Sequence, residues 1–128
     1  IGCCAEGNPL DFVDGDNPFL LGGSMGGATA AAASTAHTED IRAMILQYPA
    51  INLLPGALIS GGEYDANQFE NDVLILQGSG DKIVSTDMAK ALAAHDNALR
   101  PAHCTLVVYA GQPHVFTGKY KVKAADEI

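Results

Sequence analysis

The stretch Leu20-Leu21-Gly22-Gly23-Ser24-Met25-Gly26-Gly27 constrains this chain more than any other. A short apolar run, Phe19 to Leu21, leads into glycines and a serine, and then into the alanine-rich run Ala28 to Ala36. Short apolar runs bounded by glycine read as strands, and alanine is the strongest helix former. The chain must therefore turn from strand to helix almost at once. A turn that sharp holds the serine at its apex with the hydroxyl exposed, and leaves little room beyond glycine at positions 22 and 26. Ser24 is thus a candidate nucleophile. The same residues exclude two phosphate-binding readings. Gly-x-Gly-x-x-Gly would need glycine where Ser24 stands, and no Gly-Lys-Ser or Gly-Lys-Thr occurs.

Further apolar runs organise the rest. Strands are expected over 18–22, 41–47, 73–77 and 104–109, and helices over 25–37 and 85–98. Ser85 suits an N-cap, and Asp87 favours the first turn of its helix. Strands alternating with helices imply right-handed crossovers and an α/β fold, a mostly parallel sheet of about four strands with flanking helices. Residues 48–71 form a linker rich in Pro, Gly, Asn and Asp. Lys119-Tyr120-Lys121-Val122-Lys123 should open a closing helix, with its lysines in solvent.

A serine nucleophile needs a base, and the base needs an orienting carboxylate. The run Val73-Leu74-Ile75-Leu76 ends in Gln77-Gly78-Ser79-Gly80-Asp81-Lys82-Ile83-Val84, a glycine-bounded turn carrying Asp81. The run Thr105-Leu106-Val107-Val108-Tyr109 leads into Ala110-Gly111-Gln112-Pro113-His114-Val115-Phe116, a loop presenting His114. Ser24, Asp81 and His114 each fall just past the carboxyl end of an expected parallel strand, where open α/β sheets place their ligands. Competing groups lack that placement. His37 ends a helix, His95 lies within one and His103 precedes a strand, so all three are expected at the surface. Asp72 precedes its strand and belongs to the wrong edge of the sheet. Asp87 and Asp96 are helical and expected in solvent. Glu63 and Asp65 lie in the linker. Ser79 is expected to shape the turn around Asp81. Asp14 and Asp16 lack the spacing and distal glutamate of a calcium loop.

Leu-Leu-Gly-Gly-Ser-Met-Gly-Gly, Leu-Gln-Gly-Ser-Gly-Asp-Lys-Ile-Val and Ala-Gly-Gln-Pro-His-Val-Phe, in that order, resemble the nucleophile, acid and histidine motifs of the α/β-hydrolases, esterase and lipase branch. The resemblance runs from about Asp11 to the end. Within the branch, the linker with Tyr64-Asp65 is most similar to bacterial cinnamoyl or feruloyl esterase-like enzymes. Gly23 stands where relatives often have histidine, and Pro113 where glycine is common. The resemblance implies a serine carboxylic ester hydrolase. In it Ser24 attacks a small-molecule ester, His114 is the base, Asp81 orients it, and the Met25 N–H is one oxyanion donor. It implies no cofactor and no metal. A thioesterase or peptidase of the same fold, or a truncated piece without activity, are the alternatives.

Complete hydrolases of this kind are much longer, and here the serine turn begins near residue 18. The 128 residues are therefore expected to form a single partial domain, the C-terminal half of the fold, with 48–71 as a short cap-region linker. The strands expected before it carry the second oxyanion donor. Self-association, or a complementary N-terminal chain, is the partner this implies.

Composition narrows the partners. A net charge of −8 argues against nucleic acid and against anionic membrane surfaces. No apolar run approaches the ~20 residues of a membrane helix. Cys3, Cys4 and Cys104 form neither a disulfide framework nor a metal-binding spacing and read as ordinary thiols. With no signal-peptide pattern, the expected location is the cytoplasm.

Overall fold

The computed structural model describes residues 15–51 and 69–119. Cys3, Cys4, Asp14, Glu63, Asp65 and the expected closing helix after Lys119 lie outside the described residues. Among these residues four strands and two helices follow in the order β1 (Phe19–Gly23), α1 (Met25–Ala36), β2 (Ala43–Gln47), β3 (Asp72–Gly78), α2 (Thr86–Leu99) and β4 (Cys104–Tyr109). The strands form one sheet in the order β1-β2-β3-β4, every pair parallel. All expected elements among these residues are present, with ends shifted by no more than a residue or two.

Even-numbered residues of β1 and β2 and odd-numbered residues of β3 face the helices. Met44, Leu46, Val73 and Ile75 share one core with Ala30 and Ala31 of α1 and with Ala89, Leu92 and Ala93 of α2. Both helices therefore cover the same face of the sheet. Small alanines let them approach it closely, as α/β layers require. The Ser85 hydroxyl accepts from Met88 N and caps α2 as expected.

Two expectations fail on α2 and next to β4. Asp96 is fully buried, because it continues the 89, 92, 93 stripe that meets the sheet. His103 is also buried. Its ring packs 6.4 Å from that of Phe69, at the end of the sheet away from Ser24. Both sit in the interior, and neither is near the serine turn. Asp96 has a further effect. Burial, then the nearby Asp96 charge, pushes the Cys104 thiol up to about 12.

The other sheet face is only partly covered. At its carboxyl end Leu76, Tyr109 and Phe116 form a small cluster with Tyr48. At the outer strand, Phe19 and Leu21 are exposed at 58% and 60%. No described helix is long and apolar enough to cross a membrane.

Candidate active site

The serine turn is held by backbone geometry. Ser24 sits at φ 52° and ψ −120°, a conformation non-glycine residues rarely adopt. The turn brings Gly22 so close to the Gly26 carbonyl that a side chain at 22 would overlap it. A Cβ on Gly27 would press on Pro49, whereas one on Gly26 would meet nothing within 4 Å. The expected crowding at position 26 is thus displaced to 27, because the helix turns Gly26 outward and Gly27 toward Pro49. Ser24 N donates to Gln47 O at 3.0 Å, and Ala50 N donates to Ser24 O at 2.9 Å, which lock the apex to the end of β2. The first N–H groups of a helix have no partner within it, and those of α1 begin at Met25.

The acid and histidine loops are built against each other. A side chain on Gly78 would overlap the Gln112 carbonyl. Gly80 N donates to Gln112 O at 3.0 Å, Ser79 N to Tyr109 O at 3.0 Å, and Gly111 N to Ser79 Oγ at 2.8 Å. Ser79 therefore shapes the acid loop by tying it to the histidine loop, as the sequence suggested.

These loops and the turn bring Ser24, His114 and Asp81 together. Ser24 Oγ lies 2.8 Å from His114 Nε2, and His114 Nδ1 lies 2.7 Å from Asp81 Oδ2. An ionised carboxylate only accepts, so Nδ1 carries the proton and Nε2 of the neutral ring accepts from the serine hydroxyl. The Asp81 side chain is wholly buried, and that of His114 is 15% exposed. Burial alone would raise the Asp81 carboxyl. The hydrogen bond from His114 and those from the Val84 and Ile83 amides outweigh it and hold the group below its ordinary 3.8.

Two neighbours had no signal in the sequence. Tyr48, at φ 39°, sets its ring 4.8 Å from the His114 imidazole and 5.2 Å from Phe116. Gln77 lies behind Asp81, with Nε2 at 3.2 Å from Oδ2. His37 and His95 are exposed, and His37 pairs with Asp40 at 3.3 Å. Asp72 opens β3 at the opposite end of the sheet from Ser24. Among the described residues, no group of three or more His, Cys, Asp or Glu side chains could hold a metal ion.

No family model matches this sequence, and no curated protein matches it significantly. Solved structures do match in three dimensions. Est1E from Butyrivibrio proteoclasticus is 18% identical, with a TM-score of 0.68 over 92% of this chain and 60% of that one. The fold is that of the α/β-hydrolases. A Paleococcus ferrophilus monoacylglycerol lipase is 18% identical with a TM-score of 0.63, over 79% of this chain and 61% of its own. A Pyrococcus furiosus esterase is 19% identical with a TM-score of 0.66, over 87% and 52%. The chain thus spans between 52% and 61% of the length of these three structures. Among the described residues the four strands match part of that fold, with the serine turn at the end of the edge strand β1.

Proposed function

We propose that this chain is one partial α/β-hydrolase domain contributing the Ser-His-Asp machinery of a serine hydrolase that cleaves carboxylic esters. The observation that carries the reading is the relay of short contacts, 2.8 Å from Ser24 Oγ to His114 Nε2 and 2.7 Å from Nδ1 to Asp81 Oδ2. The positive φ at the serine supports it, since strain of this kind collects at functional sites.

In the proposed reaction Ser24 Oγ attacks the ester carbonyl while His114 Nε2 takes the hydroxyl proton. Asp81 holds the ring tautomer and stabilises the imidazolium. The tetrahedral oxyanion is held by the Met25 N–H at the start of α1, where the helix dipole also favours negative charge. It collapses as His114 gives its proton to the leaving alcohol, forming an acyl-serine. Water, deprotonated by His114, then releases the acid. None of these steps calls for a metal or an organic cofactor.

The substrate we propose is a small apolar ester. Met25, Val115 and Ile83 are all exposed, at 66%, 60% and 65%. One follows Ser24, one follows His114 and one stands two residues past Asp81, an apolar surround that suits an uncharged ligand. Est1E has also been solved with ferulic acid bound, which makes aromatic esters the first panel to try. The second oxyanion donor is assigned to strands outside this chain, supplied by a complementary N-terminal segment.

A fluorophosphonate probe followed by peptide mass spectrometry tests the reading. Ser24 should be labelled, and Ser24→Ala should abolish labelling. Label on Ser34, Ser79 or Ser85 in the variant, or none on the wild-type chain, would sink it.

A further inference from the structure

Gln77 is the penultimate residue of β3 and fully buried. Its Nε2 lies 2.9 Å from Val84 O, 3.2 Å from Gly78 O and 3.2 Å from Asp81 Oδ2. All three are acceptors, so the amide nitrogen must lie on that side. Its Oε1 faces away and has no hydrogen-bond partner among the described residues. A buried, orphaned carbonyl is costly, and an apolar residue of similar length would avoid the cost. The amide is therefore poorly suited to packing and well suited to donating.

The acceptor it shares is the informative one. Asp81 Oδ1 takes Ile83 N at 2.8 Å and Val84 N at 2.9 Å, while Oδ2 takes His114 Nδ1 at 2.7 Å and Gln77 Nε2 at 3.2 Å. Two donors on each oxygen fill the carboxylate's lone-pair positions. Of the four, only Gln77 competes with the imidazole for the same oxygen through a side chain.

We propose that Gln77 is a positioning residue for the Ser24–His114–Asp81 site. Its amide fixes the rotation of the Asp81 carboxylate and moderates how tightly Oδ2 holds the His114 cation. The inference rests on the serine-hydrolase reading above. Gln77 has no exposed surface, so it acts through Asp81 and does not touch substrate. Without its donor, Oδ2 would keep a lone pair unsatisfied in a dry interior and direct it at the imidazole. The protonated ring would then be stabilised, and the base would arm itself only at higher pH.

The experiment measures the second-order rate of fluorophosphonate labelling at Ser24 from about pH 5 to about pH 9, where the acid limb reports the essential base. This readout does not need turnover. Gln77→Met keeps length and volume and removes the donor. Its acid limb should move up by ~0.5 pH unit, and its plateau rate should fall about tenfold. Gln77→Glu donates only while protonated. When it ionises it sets a second anion beside Asp81, so labelling should collapse at alkaline pH where the wild type plateaus. A Gln77→Met variant with a lower Tm but the wild-type pH curve would show packing alone and overturn the proposal. If that variant does not fold, a Gln77→Glu variant that keeps the alkaline plateau overturns it equally. Failure of the underlying reading looks different: the wild-type chain itself would leave Ser24 unlabelled.

Discussion

Asp81 and His114 stand on loops that hold each other, whereas Ser24 follows a strand that, among the described residues, is paired on one side only. On the β3–β4 side, Gly78 and Gln112 are in backbone contact, Ser79 bonds both Tyr109 and Gly111, and the carboxylate has all its acceptor positions filled. On the β1 side, the turn is fixed inward to β2 through Gln47 and Ala50. Outward, Phe19 and Leu21 are exposed on an edge strand with no second partner among the described residues. The Asp81–His114 pair, the proposed acid and base, is thus a self-contained unit. Ser24, the proposed nucleophile, lies 2.8 Å from His114 Nε2 but is held among the described residues from one side. An apolar edge with unpaired N–H and C=O groups invites another strand.

The largest effect expected is on the self-contained side. Asp81→Asn should lower turnover by ~10⁴, because an amide donor at that position selects the wrong imidazole tautomer. Steady-state kinetics with a nitrophenyl ester, on a preparation that turns over, checks it. The same variant tests the electrostatics. The Asp81 carboxyl is held below its ordinary 3.8, so its contribution to stability is present above that value. It is lost as pH falls through the lowered one. Acid unfolding of the wild type should therefore be steeper below about pH 4 than that of Asp81→Asn. Superimposable acid transitions would mean that the buried carboxylate contributes nothing.

The next effect belongs to the open side. On the proposed partial-domain reading, adding a segment that pairs with the outer edge of β1, in cis or as a separate chain, should raise ester turnover by ~10²–10³, the usual worth of an oxyanion donor. A lone 128-residue chain that is monomeric and already fully active would erase the contrast between the two sides. Third is Gly78→Ala, which forces a methyl into the Gln112 backbone. We expect a loss of about 1–3 kcal/mol in urea unfolding, the usual range for an overpacked site. Smallest in folding energy is Leu21→Lys, an exposed substitution within about 0.5 kcal/mol. It should nonetheless shift size-exclusion profiles toward monomer, because a charge on an edge strand opposes pairing.

Much of this was legible in the chain. The order of strands and helices followed from apolar runs separated by glycine-rich turns. The candidate site was sought where Ser24, Asp81 and His114 fall relative to strand ends, and these three side chains do lie in hydrogen-bond contact. Three-dimensional burial was less legible. Asp96 and His103 carry polar side chains, which argue for solvent, yet the helix stripe and the sheet end bury both. Gly26 and Gly27 are alike in sequence, and only the approach of Pro49 to Gly27 separates their roles. Tyr48 reaches His114 from just past β2, so its local sequence carries no trace of that partner. Gln77 meets Asp81 only four residues on, but the local sequence does not show which way its amide turns.

Spacing along the chain separates the two halves of the site once more. Asp81 and His114 are 33 residues apart and belong to one β3–α2–β4 unit, whereas Ser24 and His114 are 90 apart. Closing the longer loop costs only about 0.9 kcal/mol more in chain entropy, so the equilibrium barely notices the difference. Assembly does. The shorter unit can form its parallel pair early, with a hydrogen-bonded imidazole already in place. The serine can meet that base only after β1 has docked on β2 and β2 on β3. A chain arrested before the last docking would hold a finished base and an idle nucleophile, a protein that is folded over most of its length and chemically silent.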